Sequence, residues 1–202
     1  MIRTDEELVA SAQAGDLDSF NQLVSRWERP IYALAYRTLG REEEARDVVQ
    51  EAFMRAYRGL KAFKGEAKFS SWLYRITLNL CRDWMRRERR TPIVSVPEGV
   101  DPIDLADRQV APTESVEDLV ARREMSAAVA RAMAELPDEQ RTTILLKEYH
   151  GLTFQEIADM LQCPLSTVKT RLYQGLSVLR RRLERQQTEQ AALRRATWES
   201  SL

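Results

Sequence analysis

Four of the seven prolines, Pro92, Pro97, Pro102 and Pro112, fall between Thr91 and Asp118. The same window holds seven acids, Glu98, Asp101, Asp104, Asp107, Glu114, Glu117 and Asp118, against one base, Arg108. Proline removes a backbone donor and crowded carboxylates repel, so this stretch cannot sustain a long helix or a central strand. It predicts a linker over 91–118 that splits the 202-residue chain into two small folding units. The expected division is 1–90, the linker 91–118, 119–185, and a C-terminal tail over 186–202.

Both units read as helical. Between Asp16 and Leu39, the residues Phe20, Leu23, Val24, Trp27, Ile31 and Leu34 recur in steps of three and four, and Gly40 marks a stop. Val48, Val49, Ala52, Phe53, Ala56, Tyr57 and Leu60 form a second stripe, and Gly65 interrupts before a third helical segment from Phe69 to Arg90. After the linker, Val116, Leu119, Val120, Val129, Met133 and Leu136 predict a helix. Pro137 suits the first position of the next, with Asp138 and Glu139 on its positive end. β-branched residues nowhere alternate over strand length, so the expected fold is all-α, with two helical domains.

Composition excludes several classes. Hydrophobic residues make up 44% and charged residues 31%, with 31 Lys+Arg against 31 Asp+Glu. That is a folded chain with a charged surface and no global bias toward an acidic partner. It contains no run of 18 apolar residues, and its acidic amphipathic start is unlike a signal peptide, so the expected location is cytoplasmic. Cys81, Cys163 and the single His150 lack metal-ligand spacing, and a zinc site needs about four such ligands. Neither a metal nor a cofactor is expected. With no phosphate-binding glycine loop and no nucleophile elbow, neither is an enzyme or a small-molecule substrate.

The stretch "FQEIADMLQCPLSTVKTRL", Phe154 to Leu172, reads as two short helices joined at Gln162–Pro164. Thr153 and Glu156 make a capping box for the first. Pro164 cannot continue that helix and can start the second. The second buries Leu165, Val168, Leu172, Leu176, Leu179 and Leu183 on one side. Ser166, Thr167, Thr170, Tyr173, Gln174 and Ser177 lie opposite, flanked by Lys169 and Arg171. A solvated face would favour Glu and Lys, the better helix formers, so the Ser/Thr face asks for another reason. Gln pairs with adenine edges, Thr touches thymine methyls, and Lys or Arg reaches guanine or phosphate in the major groove. Arg180, Arg181, Arg182 and Arg185 follow, placed for phosphate.

Lys64 to Arg90 holds eight bases against three acids, interleaved with Phe69, Trp72, Tyr74 and Trp84. Rings that stack on bases beside cations that hold the backbone suit unpaired DNA. The same rings also serve as core, and Phe69 and Trp72 are the ones most expected to be buried.

"DVVQEAFMRAYRGLKAFKGEAKFSSWLYRITLNLCRDWMRR" resembles region 2 of the extracytoplasmic-function (ECF) sigma factors. "LPDEQRTTILLKEYHGLTFQEIADMLQCPLSTVKTRLYQGLSVLR" resembles their region 4. The resemblance covers about Asp16–Arg90 and Met125–Leu183, in the family's order. It implies a dissociable subunit of bacterial RNA polymerase. Asp47, Gln50, Glu51 and Arg55 would dock on core polymerase. Lys64, Lys68, Trp72, Tyr74, Arg75, Asn79 and Arg82 would hold the melted −10 element. Ser166, Thr167, Lys169, Thr170, Arg171, Tyr173 and Gln174 would read the −35 element of promoter DNA. Gln174 and Gly175 depart from the Arg and Ala of many relatives, and the tail lies outside the family core. The linker would run through the polymerase cleft.

The alternative is a helix-turn-helix transcription regulator that does not bind core polymerase, which would need a ligand or phosphoacceptor domain at the N-terminus. Nothing in the sequence masks the two working surfaces, so control is expected from an anti-sigma partner, often membrane-anchored. That partner is expected to wedge between the modules over Val48–Leu60 and Leu165–Leu183.

Overall fold

The computed structural model describes residues 3–88 and 116–199; the linker residues 89–115, and with them most of the acidic window, lie outside the described residues. Every regular element among the described residues is helical. In the first half these are α1 (Asp5–Gln13), α2 (Leu17–Leu39), α3 (Glu42–Gly59), a 3₁₀ turn (Leu60–Ala62) and α4 (Phe69–Glu88). The second half has α5 (Val116–Ala134), α6 (Asp138–Ile144) running into a π turn (Leu145–Tyr149), α7 (Phe154–Leu161) and α8 (Leu165–Glu199).

Local chemistry sets the helix ends. Thr4 and Glu7 form a capping box at α1, as Thr153 and Glu156 do at α7. Asp16 caps α2, whose C-terminus is Gly40 in the left-handed conformation. Pro30 lies inside α2. An interior proline removes one hydrogen bond, and the helix is held instead by its buried face, with Leu23, Ile31 and Leu34 fully enclosed. Burying each such side chain stabilises by about 1.5–3 kcal/mol.

Helices α1, α3 and α4 pack around α2 to form the first core, with Leu8, Ala52, Leu73 and Leu78 at its centre. The second core gathers α5, α6 and α7 on α8 around Leu146, Ile157, Val168 and Leu172. Gly175 is buried where α8 crosses α6: a Cβ there would sit 2.9 Å from Ile144 Cδ1 and 3.2 Å from Gln140 Cβ. The departure from the family's Ala therefore allows a close helix crossing.

Four boundaries differ from the expectation. Helix α5 starts at Val116, three residues inside the expected linker, because no proline or glycine follows Pro112 until Pro137. Helix α8 runs to Glu199, so the tail begins as a continuation of the recognition helix. After Gly175 the chain has no breaker and is rich in Arg, Gln and Ala. Pro137 and Pro164 each stand one residue before the helix they were expected to begin. Their carbonyls accept from Gln140 and Arg141, and from Thr167 and Val168.

Candidate nucleic-acid interface

The polar face of α8 is built from the inside. Burial of Val168 and Leu172 fixes its rotation, which turns Ser166, Thr170, Tyr173, Gln174 and Ser177 outward. Tyr173 is 63% exposed. The turn before it uses Gln162 in the left-handed conformation, its N–H donating to the Ala158 carbonyl. The Thr170 hydroxyl donates to the Ser166 carbonyl at 2.9 Å, leaving its methyl to face outward chemistry. Lys169 is exposed, with its ammonium 5.7 Å from the Phe154 ring.

Two arginines and Thr167 depart from the sequence reading. Thr167 is half-buried. Arg171 is drawn to Glu139 at 2.6 Å, with a second contact to Cys163 Sγ at 3.7 Å. It clips the start of α8 to α6. Arg182 bonds the Glu135 carboxylate at 2.9 Å and the Ala132 carbonyl at 3.3 Å, stapling α8 to α5 rather than facing a phosphate. Arg181 and Arg185 are exposed, while Arg180 pairs with Glu184.

A second surface lies on α3. Asp47, Gln50 and Arg55 are exposed, and Glu51 holds Arg55 Nε at 2.7 Å. Beside them runs an apolar groove of about 970 Å³ between α2 and α3, bordered by Leu17, Gln50, Met54 and Tyr57. Leu17 (55%), Met54 (40%) and Tyr57 (53%) are exposed there, and Tyr57 meets Phe20 edge-on with centroids 5.0 Å apart. Sequence reasoning assigned Tyr57 to the buried stripe and missed the groove. The available signal was Met54, an apolar residue one turn from the polar Gln50.

The third surface is the loop 63–68 and the outward side of α4. Lys64, Arg75, Asn79 and Arg82 are exposed. Trp72 is half-buried, stacked on Phe63 at 4.8 Å and lying against Gly59, while Phe69 is in the core. Tyr74 differs from the expectation of an open stacking ring: it is 4% exposed, edge-on to Trp27, and its hydroxyl meets His150 Nδ1 at 3.1 Å.

That last contact joins the two halves. Lys68 Nζ bonds Glu156 Oε1 across the same boundary at 2.7 Å, and the Arg37 guanidinium lies 4.3 Å over the Tyr149 ring. A cleft of about 830 Å³ lies between them, with Phe63, Lys64, Trp72 and Arg75 on one wall and Glu156, Asp159 and Met160 on the other. The halves meet beside one expected working surface: Glu156 on α7 bonds Lys68, while residues 64–68 stay exposed. The expectation that nothing in the sequence masks those surfaces changes at Lys68 alone. The wedge expectation changes with it, because a partner between the halves would first have to part them.

The closure is electrostatically tuned. The Lys68 ammonium and the Thr153 cap hold the Glu156 carboxyl down at about 2. Lys68 is mostly exposed, so solvent screens the pair and it joins the halves only weakly. Burial, and then the Arg37 charge, push His150 down to about 4. Burial pushes Tyr74 up to about 12, so its hydroxyl stays neutral. A free His150 would titrate at 6.5. Above that pH both open and closed forms hold a neutral imidazole and closure has its full strength. Below it, only the open form takes up the proton. Closure therefore weakens as pH falls from 6.5 toward 4, by about tenfold per unit at the limit. Glu156 contributes only further down, between 4.5 and about 2. Going from pH 7 to pH 5 should raise the open fraction by up to roughly 20-fold. Fluorescence transfer between the halves measures this, and His150→Gln should remove the pH dependence.

The family described as Sigma-70 region 2 matches residues 23–91, and that described as Sigma-70, region 4 matches 126–179. The chain is 35% identical over 181 residues to the RNA polymerase sigma-H factor of Pseudomonas aeruginosa, covering 89% of this chain and 94% of that protein. It is 37% identical over 176 residues to the ECF RNA polymerase sigma factor SigW of Bacillus subtilis, covering 87% and 94%. The ECF RNA polymerase sigma-E factor of Escherichia coli K12 is 34% identical over 173 residues, covering 85% and 90%. Among solved structures, CnrH in complex with the cytosolic domain of CnrY superposes with a TM-score of 0.65 at 28% identity, covering 89% of this chain and 97% of that one.

Proposed function

The chain belongs to the extracytoplasmic-function RNA polymerase sigma factors, which bind core RNA polymerase and direct it to promoters, and we propose a division of that work among its three surfaces. The α8 face, with Ser166, Lys169, Thr170, Tyr173 and Gln174, reads the −35 element in the major groove. Lys64, Lys68, Trp72, Arg75, Asn79 and Arg82 hold the melted −10 strand. Asp47, Gln50, Glu51 and Arg55, continued by the α2–α3 groove, dock on core polymerase. The protein acts stoichiometrically and not as an enzyme, and it works in the cytoplasm. No described helix is long and apolar enough to cross a membrane.

The observation that carries this reading is the rotation of α8, which turns a Ser/Thr/Gln face outward while Val168 and Leu172 are buried. The contact between the halves adds a step. The −35 and −10 elements lie roughly 20–25 base steps apart, about 70–85 Å at 3.4 Å per step. Halves bonded through Lys68 and Glu156 cannot reach both. Residues 89–115 could span up to about 90 Å fully extended, enough to let them part. Lys68 would exchange Glu156 for a DNA phosphate. Tyr74 would lose His150 and could then join the −10 surface.

A protein inhibitor fits the same frame. CnrH was solved with the cytosolic domain of CnrY, and a partner that binds the closed form and covers the α2–α3 groove would block polymerase at Gln50, Glu51 and Arg55. An anti-sigma factor is the partner of that kind.

The test is affinity for core polymerase. Met54 is partly exposed in the groove, so Met54→Glu should leave folding stability within about 0.5 kcal/mol. It should weaken core binding by about tenfold or more, as expected for an apolar contact inside an interface. Unchanged affinity in a pull-down titration would remove the groove from the docking surface.

A further inference from the structure

The loop that carries Lys64 and Lys68 is anchored from a helix outside all three surfaces. The Gln13 side-chain amide, at the end of α1, donates through Nε2 to the Leu60 carbonyl at 2.9 Å and to the Phe63 carbonyl at 2.7 Å. These carbonyls lie at the two ends of the 3₁₀ turn by which α3 hands the chain to the loop. Both amide hydrogens are used, so the bond pair fixes direction as well as distance. The Leu60 carbonyl also accepts from the Phe63 N–H, while the Phe63 carbonyl, at the turn's end, is met by a side chain 50 residues away.

The loop leaves directly from this anchor. Phe63 stacks on Trp72, and Gly65 turns the chain with φ 72°, a value that glycine adopts without strain. The loop is undercut by a cleft of about 440 Å³ between it and α1, lined by Glu6, Val9, Gln13 and Lys64. On the other side it faces the cleft that holds Arg75. Residues 64–68 are exposed between these clefts, so the entry geometry at Phe63 governs where Lys64 points and how the chain reaches Lys68.

We infer that Gln13 is a positioning residue for −10 recognition: through the Leu60 and Phe63 carbonyls it sets the placement of loop 63–68 without touching DNA. This rests on the assignment of that loop and of Arg75 to the melted strand. Gln13→Glu keeps the shape but sets carboxylate oxygens against two carbonyls. Gln13→Lys keeps a donor.

The experiment uses full-length protein with core RNA polymerase on a promoter selected from a random library by the wild-type holoenzyme. Strand opening is read by 2-aminopurine fluorescence in the −10 element. Gln13→Glu should lower opening by roughly tenfold, the cost of taking the amide donor from the Phe63 carbonyl and setting a carboxylate against it. It should also alter the ranking of −10 bases, with core affinity and −35 ranking unchanged. Gln13→Lys should restore most of the opening. Loss of opening only in proportion to loss of folded protein, or loss in Gln13→Lys equal to that in Gln13→Glu, would overturn the inference. Lys64→Ala and Arg75→Ala separate the two layers. If neither lowers opening, the −10 assignment itself falls. If they do and Gln13→Glu does not, only the positioning role falls.

Discussion

Promoter duplex mixed with the free protein should be bound weakly, with Kd of about 10⁻⁴–10⁻⁶ M and a steep salt dependence. Adding core polymerase should bring specific binding to about 10⁻⁸ M or tighter. The expected gain is therefore about a hundredfold at least and up to many thousandfold. Two features cause it. The net charge is zero, with 31 bases against 31 acids, so no global field pulls the free chain onto DNA. The Lys68–Glu156 and Tyr74–His150 contacts also join the halves, and on the proposed division of surfaces a chain so joined would engage one element at a time. Using one element forfeits the multiplication of affinity that linked sites provide. Polymerase, by holding the first half through α3, would let the second reach the upstream element. A gel-shift titration with and without core polymerase measures the difference. Nanomolar sequence-specific binding by the free protein would favour a regulator that needs no polymerase.

Substitutions on the α8 face should change preference, and those beside it should change only grip. Thr170 and Gln174 are exposed on the side away from Val168 and Leu172. Thr170→Ala or Gln174→Ala should cost about 1–3 kcal/mol at a contacted −35 base, roughly 5- to 150-fold, and reorder a −35 library. Arg185→Ala should weaken all promoters alike and reduce the salt slope by about one. Arg182→Ala belongs to a different class. It breaks the bonds to Glu135 and Ala132, so it should lower the melting temperature of the second half before it touches DNA affinity. A library ranking that is the same for wild type and both face variants would mean the helix presents another side.

These assignments show which parts of the molecule short-range pattern can reveal. The helix ends with a local cause were legible: Thr153 with Glu156, Asp16 at the start of α2, Gly40 at its end. The side of α8 that faces the core was legible because Val168 and Leu172 repeat with the helix. Charged side chains were not legible in the same way. Arg171, Arg182 and Lys68 look like DNA contacts in sequence, yet Glu139, Glu135 and Glu156 bond them from elsewhere in the fold. Nothing within a turn of each arginine or lysine announces those partners. Tyr74 was misjudged for the same reason, since Trp27 and His150 come from 47 residues before and 76 residues after it. The α2–α3 groove escaped notice because exposed Tyr57 fits the periodicity of a buried stripe, and Met54 beside that stripe went unread. Periodicity gives the direction of a side chain but not whether another helix arrives to cover it.

The central claim is that this sigma factor is closed when free and must part to read a promoter. Distance between the halves tests it most directly. Fluorophores attached through Glu43→Cys on α3 and Gln155→Cys on α7 would sit on exposed positions. The background would be Cys163→Ser. Cys81 can remain, because burial pushes its thiol up to about 12 and keeps it unreactive. The free protein at pH 7 should give high transfer, as Lys68 and Glu156 require. The complex with core polymerase and promoter should give transfer near zero, consistent with halves roughly 70–85 Å apart on the DNA. Equal transfer in the two states, with promoter binding confirmed in the same sample, would contradict the account.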